Sequence, residues 1–284
     1  MGVQIIVDST ADLPEKVRAR VEVVPLTISF GGEEYIDGVT IDSKMFYEKL
    51  IESDVLPTTS QATPFAFEEA FSKALELGNE VVCITCSSKL SGTYQSAVIA
   101  AEEFPGKVFV VDSETIAIGS GILTEYALSL VDRGLDAEHI CWKLLQKRGS
   151  IRVLALLDTL EYLKKGGRIS KTVAFAGGIL NIKPVVCIEA GEIKLLGKAR
   201  GSRQGNNLLA QEIEKAGGVD FNKPLLLGYT GLSDVLLQKY IADSAHLWAG
   251  KTDNLPVKIV GSTVGTHVGP GAVAAAFFSA GEDA

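Results

Sequence analysis

The chain has 284 residues, 46% of them apolar and 22% charged. That balance suits one large or two ordinary globular domains and excludes an intrinsically disordered chain. A formal net charge of −8 repels phosphate backbones and anionic membrane surfaces, so no nucleic-acid partner is expected.

Residues 3–8 form a short apolar run that ends in polar turn residues, which predicts a buried strand. The beginning of the chain has no basic region and too short an apolar run for a secretory signal. Gly2 has Ile6 where a myristoylation signal wants Ser or Thr. No stretch of about 18 uncharged apolar residues follows; the most apolar helix candidate is 272–280. A cytoplasmic protein without stable membrane insertion is therefore expected.

A short helix is predicted near Pro14, then β-rich sequence over 22–30, broken at Gly31-Gly32. Helices follow at 43–52, with Ser43 as a cap, and at 64–77, with Pro64 in the first turn. Strands at 81–85 and 108–111 flank a helix at 91–104. Two more helices cover 116–133 and 137–148. In the second half the pattern predicts a strand at 153–157 and helices at 160–165 and 172–180. A hairpin of 184–188 and 193–199 turns at Ala190-Gly191-Glu192. Beyond it come a helix at 203–216, a strand at 224–229, a helix at 233–248, a strand at 257–262 and a last helix at 271–280. The alternation defines an α/β protein of two α/β domains, 1–149 and 150–284, the first with a mainly parallel sheet and the second with a mixed one. Two such domains enclose a cleft or tunnel between them, where ligands bind.

The four cysteines, Cys83, Cys86, Cys141 and Cys187, are too few for a disulfide framework. Cys83 and Cys86 have the redox spacing but close a strand, whereas redox pairs start a helix whose dipole lowers the thiol pKa. Buried structural cysteines are expected, and no metal site.

Five polar segments stand at element ends. Asp8-Ser9-Thr10-Ala11-Asp12-Leu13-Pro14 caps the first helix or also lines a cleft. Pro57-Thr58-Thr59-Ser60-Gln61-Ala62-Thr63-Pro64 carries more hydroxyls than one cap needs; it is an anion contact or a polar loop. Ser87-Ser88-Lys89-Leu90-Ser91-Gly92-Thr93-Tyr94-Gln95-Ser96 offers hydroxyls, a glycine and free helix N–H groups, the means of holding a carboxylate or of plain capping. It lacks the Gly-Lys-Ser/Thr ending of a phosphate-binding loop and the Gly-x-Ser-x-Gly of a nucleophile elbow. Lys164-Lys165-Gly166-Gly167-Arg168-Ile169-Ser170-Lys171 is a solvated charge run or a docking patch for an acidic or phosphorylated partner. Thr266-His267-Val268-Gly269-Pro270-Gly271 presents one of three histidines in a predicted turn.

In this order, these segments together with Val111-Asp112-Ser113 resemble the DegV family over the whole chain. Ser60-Gln61-Ala62 departs from the Ser-Gln-Pro of many members. The resemblance implies a long-chain fatty acid as ligand, with no other cofactor. Its carboxylate is held by Thr59, Ser91 and His267, with Ser60, Gly92 and Thr93 as neighbours. It also implies that the protein is not itself an enzyme but presents the acyl group to a separate ATP-dependent kinase, which forms an acyl phosphate, and that Arg168 docks that partner. Phe175, Ile179, Leu180, Phe277 and Phe278 are apolar candidates for the tail, each equally a core residue. The alternatives are an acyl hydrolase or transferase using Ser91 and His267, oriented by Asp8 or Asp112, and a phosphate- or nucleotide-binding regulator.

Overall fold

The computed structural model describes residues 2–169 and 181–282. The expected helix at 172–180, with Phe175, Ile179 and Leu180, lies outside the described residues. Strand β1 (Gly2–Asp8) buries Ile5, Ile6 and Val7 on both faces, as a central strand requires. Helix α1 (Glu15–Arg18) follows Pro14, and β2 (Glu22–Val24) pairs parallel to β1. The β-rich stretch does not continue in that sheet. After Pro25 it becomes β3 (Thr27–Phe30), which turns through Gly31-Gly32 into β4 (Glu33–Ile36). Helix α2 (Ser43–Glu52) is capped by Asp42, whose side chain accepts from the Met45 N–H, and not by Ser43. The polar run at Thr58 is a strand as well: β5 (Thr58–Ser60) pairs antiparallel with β3, Ile28 opposite Thr59.

Helix α3 (Pro64–Glu76), strand β6 (Asn79–Thr85), helix α4 (Thr93–Ala101) and strand β7 (Val108–Asp112) complete a four-stranded parallel sheet of order β2-β1-β6-β7. Helices α5 (Ile118–Asp132) and α6 (Ala137–Lys147) lead to the second half. There β8 (Ile151–Leu156), α7 (Glu161–Lys165), β9 (Ile182–Glu189), β10 (Glu192–Arg200) and α8 (Gly201–Lys215) precede β11 (Leu226–Tyr229). Helices α9 (Val235–Asp243) and α10 (Ala245–Trp248), strand β12 (Val257–Ile259), helix α11 (Ser262–Val268) and strand β13 (Val273–Phe278) follow. The second sheet is mixed, of order β10-β9-β8-β13-β11-β12, with β11 and β12 its parallel pair.

Three predicted elements differ. The last helix, 271–280, is strand β13, paired with β8 on one side and β11 on the other. Its alanines favour a helix by propensity, but a run buried on both faces has no period to distinguish the two states. Ala276 and Phe278 pack in one apolar cluster, Ala275 and Phe277 in another. Both phenylalanines are 1% exposed and are core residues. The turn holding Thr266 and His267 is the last turn of α11. The single helix expected over 233–248 breaks at Ser244, where the Ser244 hydroxyl donates to the Tyr240 carbonyl and accepts from the Trp248 indole.

Helix α5 is central to the arrangement. Ile118, Ile122 and Leu123 share one apolar cluster with Ile5, Val7 and Ile84 of the parallel sheet and with Ile151, Val153 and Leu226 of the mixed sheet. Polar contacts tie the halves as well: the Asp37 carboxylate, which accepts from Ser9 at 2.9 Å within the first half, accepts from Thr263 of the second at 2.6 Å, and Tyr47 donates to the Val260 carbonyl at 3.0 Å. Among the described residues, no helix is long and apolar enough to cross a membrane.

The end of β1 is fixed by Asp8, which is fully buried. Its carboxylate accepts from the Thr10 N–H at 2.9 Å, the Thr10 hydroxyl at 2.6 Å and the Cys86 N–H at 2.7 Å. Replacing Asp8 with Ala leaves three buried donors unpaired, at about 1–3 kcal/mol each when water cannot reach them. Asp8→Ala is expected to lower unfolding free energy by about 3 kcal/mol or more, read from the urea midpoint, and Asp8→Asn, which keeps an acceptor, to lower it less.

Candidate functional site

The site lies where loops at the ends of the parallel strands meet α7 and α11 of the second half, the position at which open α/β sheets bind ligands. Thr59 reaches it because β5 alternates: Thr59 turns inward while Thr58 and Ser60 are exposed. His267 reaches it from the last turn of α11. The Thr59 hydroxyl and His267 Nε2 are 2.8 Å apart.

His267 Nδ1 is buried and has no hydrogen-bond partner among the described residues. It packs against Gly166, where a Cβ would come within 2.3 Å of it. The first glycine of Gly166-Gly167 is thus a requirement of close approach. The second turns the chain at φ +71°, which brings Arg168 back to the site. The Arg168 guanidinium donates to the Leu90 carbonyl at 3.2 Å and the Gly166 carbonyl at 2.6 Å. Burial, and then the Arg168 charge, hold the His267 pKa down at about 4, so the imidazole is neutral. A buried acceptor tolerates lack of a partner better than a buried N–H does. The proton therefore sits on Nε2 and is donated to Thr59, leaving the Thr59 hydroxyl proton for the cavity.

Ser91 stands just ahead of α4. Its Oγ accepts from the Thr93 N–H at 3.2 Å and lies 2.9 Å from the Thr93 hydroxyl. Thr93 is fully buried and fixes the Ser91 rotamer. Gln61 donates to Ser96 at 2.9 Å and fills the space beside Gly92, where a Cβ would meet its Oε1 at 2.0 Å. That contact docks the end of β5 on the start of α4. The loop after β6 is also pinned by Ser87, which donates to the Gly191 carbonyl of the β9–β10 turn at 2.8 Å.

Thr10, Thr59, Ser91, Arg168 and His267 line one cavity. One wall of it, formed by Ile116, Leu163, Ile193, Val264 and Val268, is also the wall of a second cavity. Apart from Cys187, Tyr229 and Thr230, that second cavity is lined by aliphatic residues and glycine. On the outer side, Thr59, Arg168 and His267 border a recess that also holds Lys165. The series runs from a basic recess through a hydroxyl-lined chamber to an apolar one.

The structure brings Thr59, Ser91 and His267 to one chamber, with Thr93 behind Ser91. Ser60 lies outside it, on the other face of β5, and Gly92 serves packing with Gln61. Arg168, read from sequence as a docking residue, is part of the chamber wall. Thr10 is the member of the Asp8–Pro14 turn that reaches the chamber; its place two residues past a strand end was the available signal. Ser91 and His267 are not hydrogen-bonded to each other, and among the described residues no carboxylate orients His267. Asp8 is engaged with Thr10 and Cys86, and Asp112 accepts from the Ser88 and Glu114 N–H groups. The Ser–His relay of a hydrolase is not assembled. Burial raises the Cys83 and Cys86 pKa values well above the ordinary thiol range, the opposite of a redox pair. Among the described residues no group of three or more His, Cys, Asp or Glu side chains is placed to hold a metal.

Fold and site together define an α/β protein of a parallel sheet, a mixed sheet and a small three-stranded antiparallel sheet, whose apolar cavity ends in hydroxyls, a neutral imidazole and a guanidinium. Residues 2–280 match the DegV family, described as uncharacterised, and the chain belongs to that family. A DegV domain-containing protein of Caldanaerobacter subterraneus subsp. tengcongensis is 35% identical over 280 residues, covering 97% of this chain and 98% of the relative. Among solved structures, a fatty-acid-binding DegV family protein of Thermus thermophilus is 32% identical with a TM-score of 0.86, covering 98% of this chain and 100% of the other. A stearic-acid-binding protein of Eubacterium ventriosum is 27% identical with a TM-score of 0.87 and covers both chains completely.

Two outcomes follow. An NMR titration should place the His267 midpoint near 4, below the ordinary 6.5, and Arg168→Ala should move it upward. Because the folded pKa is depressed, the stability tied to neutral His267 is complete above about 6.5 and is lost as pH falls toward 4; His267→Asn should remove that part of the pH dependence. Gly166→Ala should push the imidazole off Thr59 and destabilise the fold by about 1–3 kcal/mol through overpacking, checked by thermal denaturation.

Proposed function

We propose that the protein binds one long-chain fatty acid, carboxylate in the hydroxyl-lined chamber and tail in the apolar one, and presents it to a separate kinase. The observation that carries this reading is the shared wall: a polar chamber for a head group adjoins an apolar cavity with almost no polar lining. The fatty-acid binding named for the Thermus thermophilus protein and the stearic acid named for the Eubacterium ventriosum protein support it. In this reading Thr59 and Ser91 donate to the carboxylate, His267 orients Thr59, and Arg168 supplies the opposite charge. Charge-assisted hydrogen bonds of this kind fix the head group. Most of the affinity comes from the tail: about 0.8 kcal/mol per buried CH₂ sets an upper bound of roughly 12 kcal/mol for a sixteen-carbon chain, before the entropy of binding is subtracted.

Presentation to an ATP-dependent kinase is the finer part of the proposal. The basic recess on the outer side of Thr59, Arg168 and His267 supports it, because a partner can approach the head group there without displacing the tail. A role of Arg168 in holding that partner is compatible with its place in the wall between chamber and recess. The division into 1–149 and 150–284 belongs to the same reading, each part carrying a sheet of its own and both supplying site residues.

Purified protein, denatured and extracted with organic solvent, should release close to one fatty acid per chain by mass spectrometry. Thr59→Val with Ser91→Ala should reduce retention at least tenfold while the fold is kept. An empty extract combined with no thermal shift on adding oleate or palmitate would overturn the binding reading. Hydroxylamine-trappable acyl phosphate, formed with ATP and a DegV-partner kinase and lost in Arg168→Ala, tests the presentation step.

A further inference from the structure

Three buried aspartates stand behind the hydroxyl-lined chamber: Asp8, Asp12 and Asp37. Asp8 accepts from three donors, one of them the Thr10 hydroxyl, and Asp37 accepts from the hydroxyls of Ser9 and Thr263. Thr10 and Thr263 both line the chamber. Asp12 differs from the other two. Its Oδ1 accepts from the Gly261 N–H at 2.7 Å, and its Oδ2 is buried with no hydrogen-bond partner among the described residues. The residue is only 4% exposed, so water cannot supply the missing bonds.

Asp12 approaches the chamber wall from two directions. It follows Thr10 by two positions, which keeps the two Cα atoms within about 7 Å. Its donor Gly261 precedes Thr263 by two positions. The surrounding elements present few charges to it. Asp37, from the loop after β4, is of like sign, and Lys258 of β12 is of opposite sign. Tyr47 of α2 is neutral and donates to the Val260 carbonyl. Helix α5 presents the backbone of Gly121 against the Asp12 carbonyl, and the start of α11 presents the Gly261 N–H. A buried carboxyl with one hydrogen bond and a like charge beside it favours its neutral form. Burial first, against the Gly261 hydrogen bond, and then Asp37, against Lys258, hold its pKa up at about 8.

We infer that Asp12 couples the chamber to a proton: an acyl carboxylate that enters the chamber is accompanied by proton uptake at Asp12. The inference rests on the fatty-acid reading. Arg168, Lys258 and Asp37 are present before and after the ligand enters, so the change at Asp12 is that of the added negative charge. In a buried setting such a field is weakly screened, and it favours the neutral acid. The balance is one carboxylate bound, one proton taken from solvent onto Asp12, and no net change of charge. His267, with its pKa near 4, takes no part at this pH. Well below pH 8 the proton is already in place and none is taken up. At and above about 8 it must be acquired, so affinity falls as pH rises.

The test is calorimetric. Oleate, kept below its self-association concentration, is titrated into delipidated full-length protein from about pH 7 to about pH 9.5, in two buffers of different ionisation enthalpy. The wild-type protein should take up a fraction of a proton per oleate above about pH 8. It should bind oleate about tenfold more weakly at the alkaline end, as a one-unit rise in the Asp12 pKa requires. Asp12→Asn keeps the acceptor for Gly261 and should lose both effects. The ionisation of oleate itself is common to the two proteins and cancels in the comparison. Asp37→Asn removes the like charge and should move the uptake to lower pH, which keeps the test available if Asp12→Asn does not fold. Stoichiometric binding with the same proton count in wild type and Asp12→Asn would overturn the coupling and leave the fatty-acid reading standing. An unshifted uptake in Asp37→Asn would do the same. No oleate bound by the wild-type protein at any pH would overturn both.

Discussion

The Thr59–His267 hydrogen bond joins the edge strand of the small three-stranded sheet to the last turn of α11, and the chemistry of the chamber depends on it. It is possible because burial and a neighbouring guanidinium keep the imidazole neutral. A charged imidazole would donate from both nitrogens, and among the described residues Nδ1 has no acceptor to meet it. The neutral ring needs no second partner, accepts close packing from Gly166 and orients Thr59. One bond thus couples the two halves of the chain, selects the tautomer and leaves one hydroxyl proton directed at the cavity.

Around that bond, the buried carboxylates act as fasteners. Asp8 binds the ends of β1 and β6 together, and Asp37 binds the following loop to the start of α11. Asp12, whose pKa burial pushes up to about 8 with Asp37 adding to the effect, accepts from the Gly261 N–H at 2.7 Å. These groups resist desolvation only through their hydrogen bonds. Their position explains why so many Ser, Thr and Asp residues crowd the strand ends: a minority face the cavity, and the others hold the loops that do.

The arrangement separates two tasks by distance. On the proposed function, polar groups at one end give orientation and exchange with the outside through a basic recess, and an aliphatic chamber gives non-directional burial. Arg168 shows how the two are linked, since its guanidinium lowers the basicity of His267 and faces both the chamber and the recess.

Much of this was legible in the sequence. Alternating apolar runs and capping signals define α/β architecture, the parallel first sheet, the β9–β10 hairpin and the cluster of hydroxyls ahead of α4, because local periodicity and turn chemistry are properties of short segments. The ordered motifs define the family. What the tertiary structure decided is whatever depends on neighbours distant in the chain. β13 is a strand because β8 and β11 flank it, although its alanines favour a helix. The hydroxyl run at Thr58 is an edge strand because β3 offers it a ladder, and that alternation turns Thr59 inward and Ser60 outward. Arg168 belongs to the chamber wall because Gly166 lets His267 approach and the carbonyl of Leu90, 78 positions earlier, receives its guanidinium. Sequence specifies which groups are present and their local geometry; long-range packing alone decides which of them share a cavity.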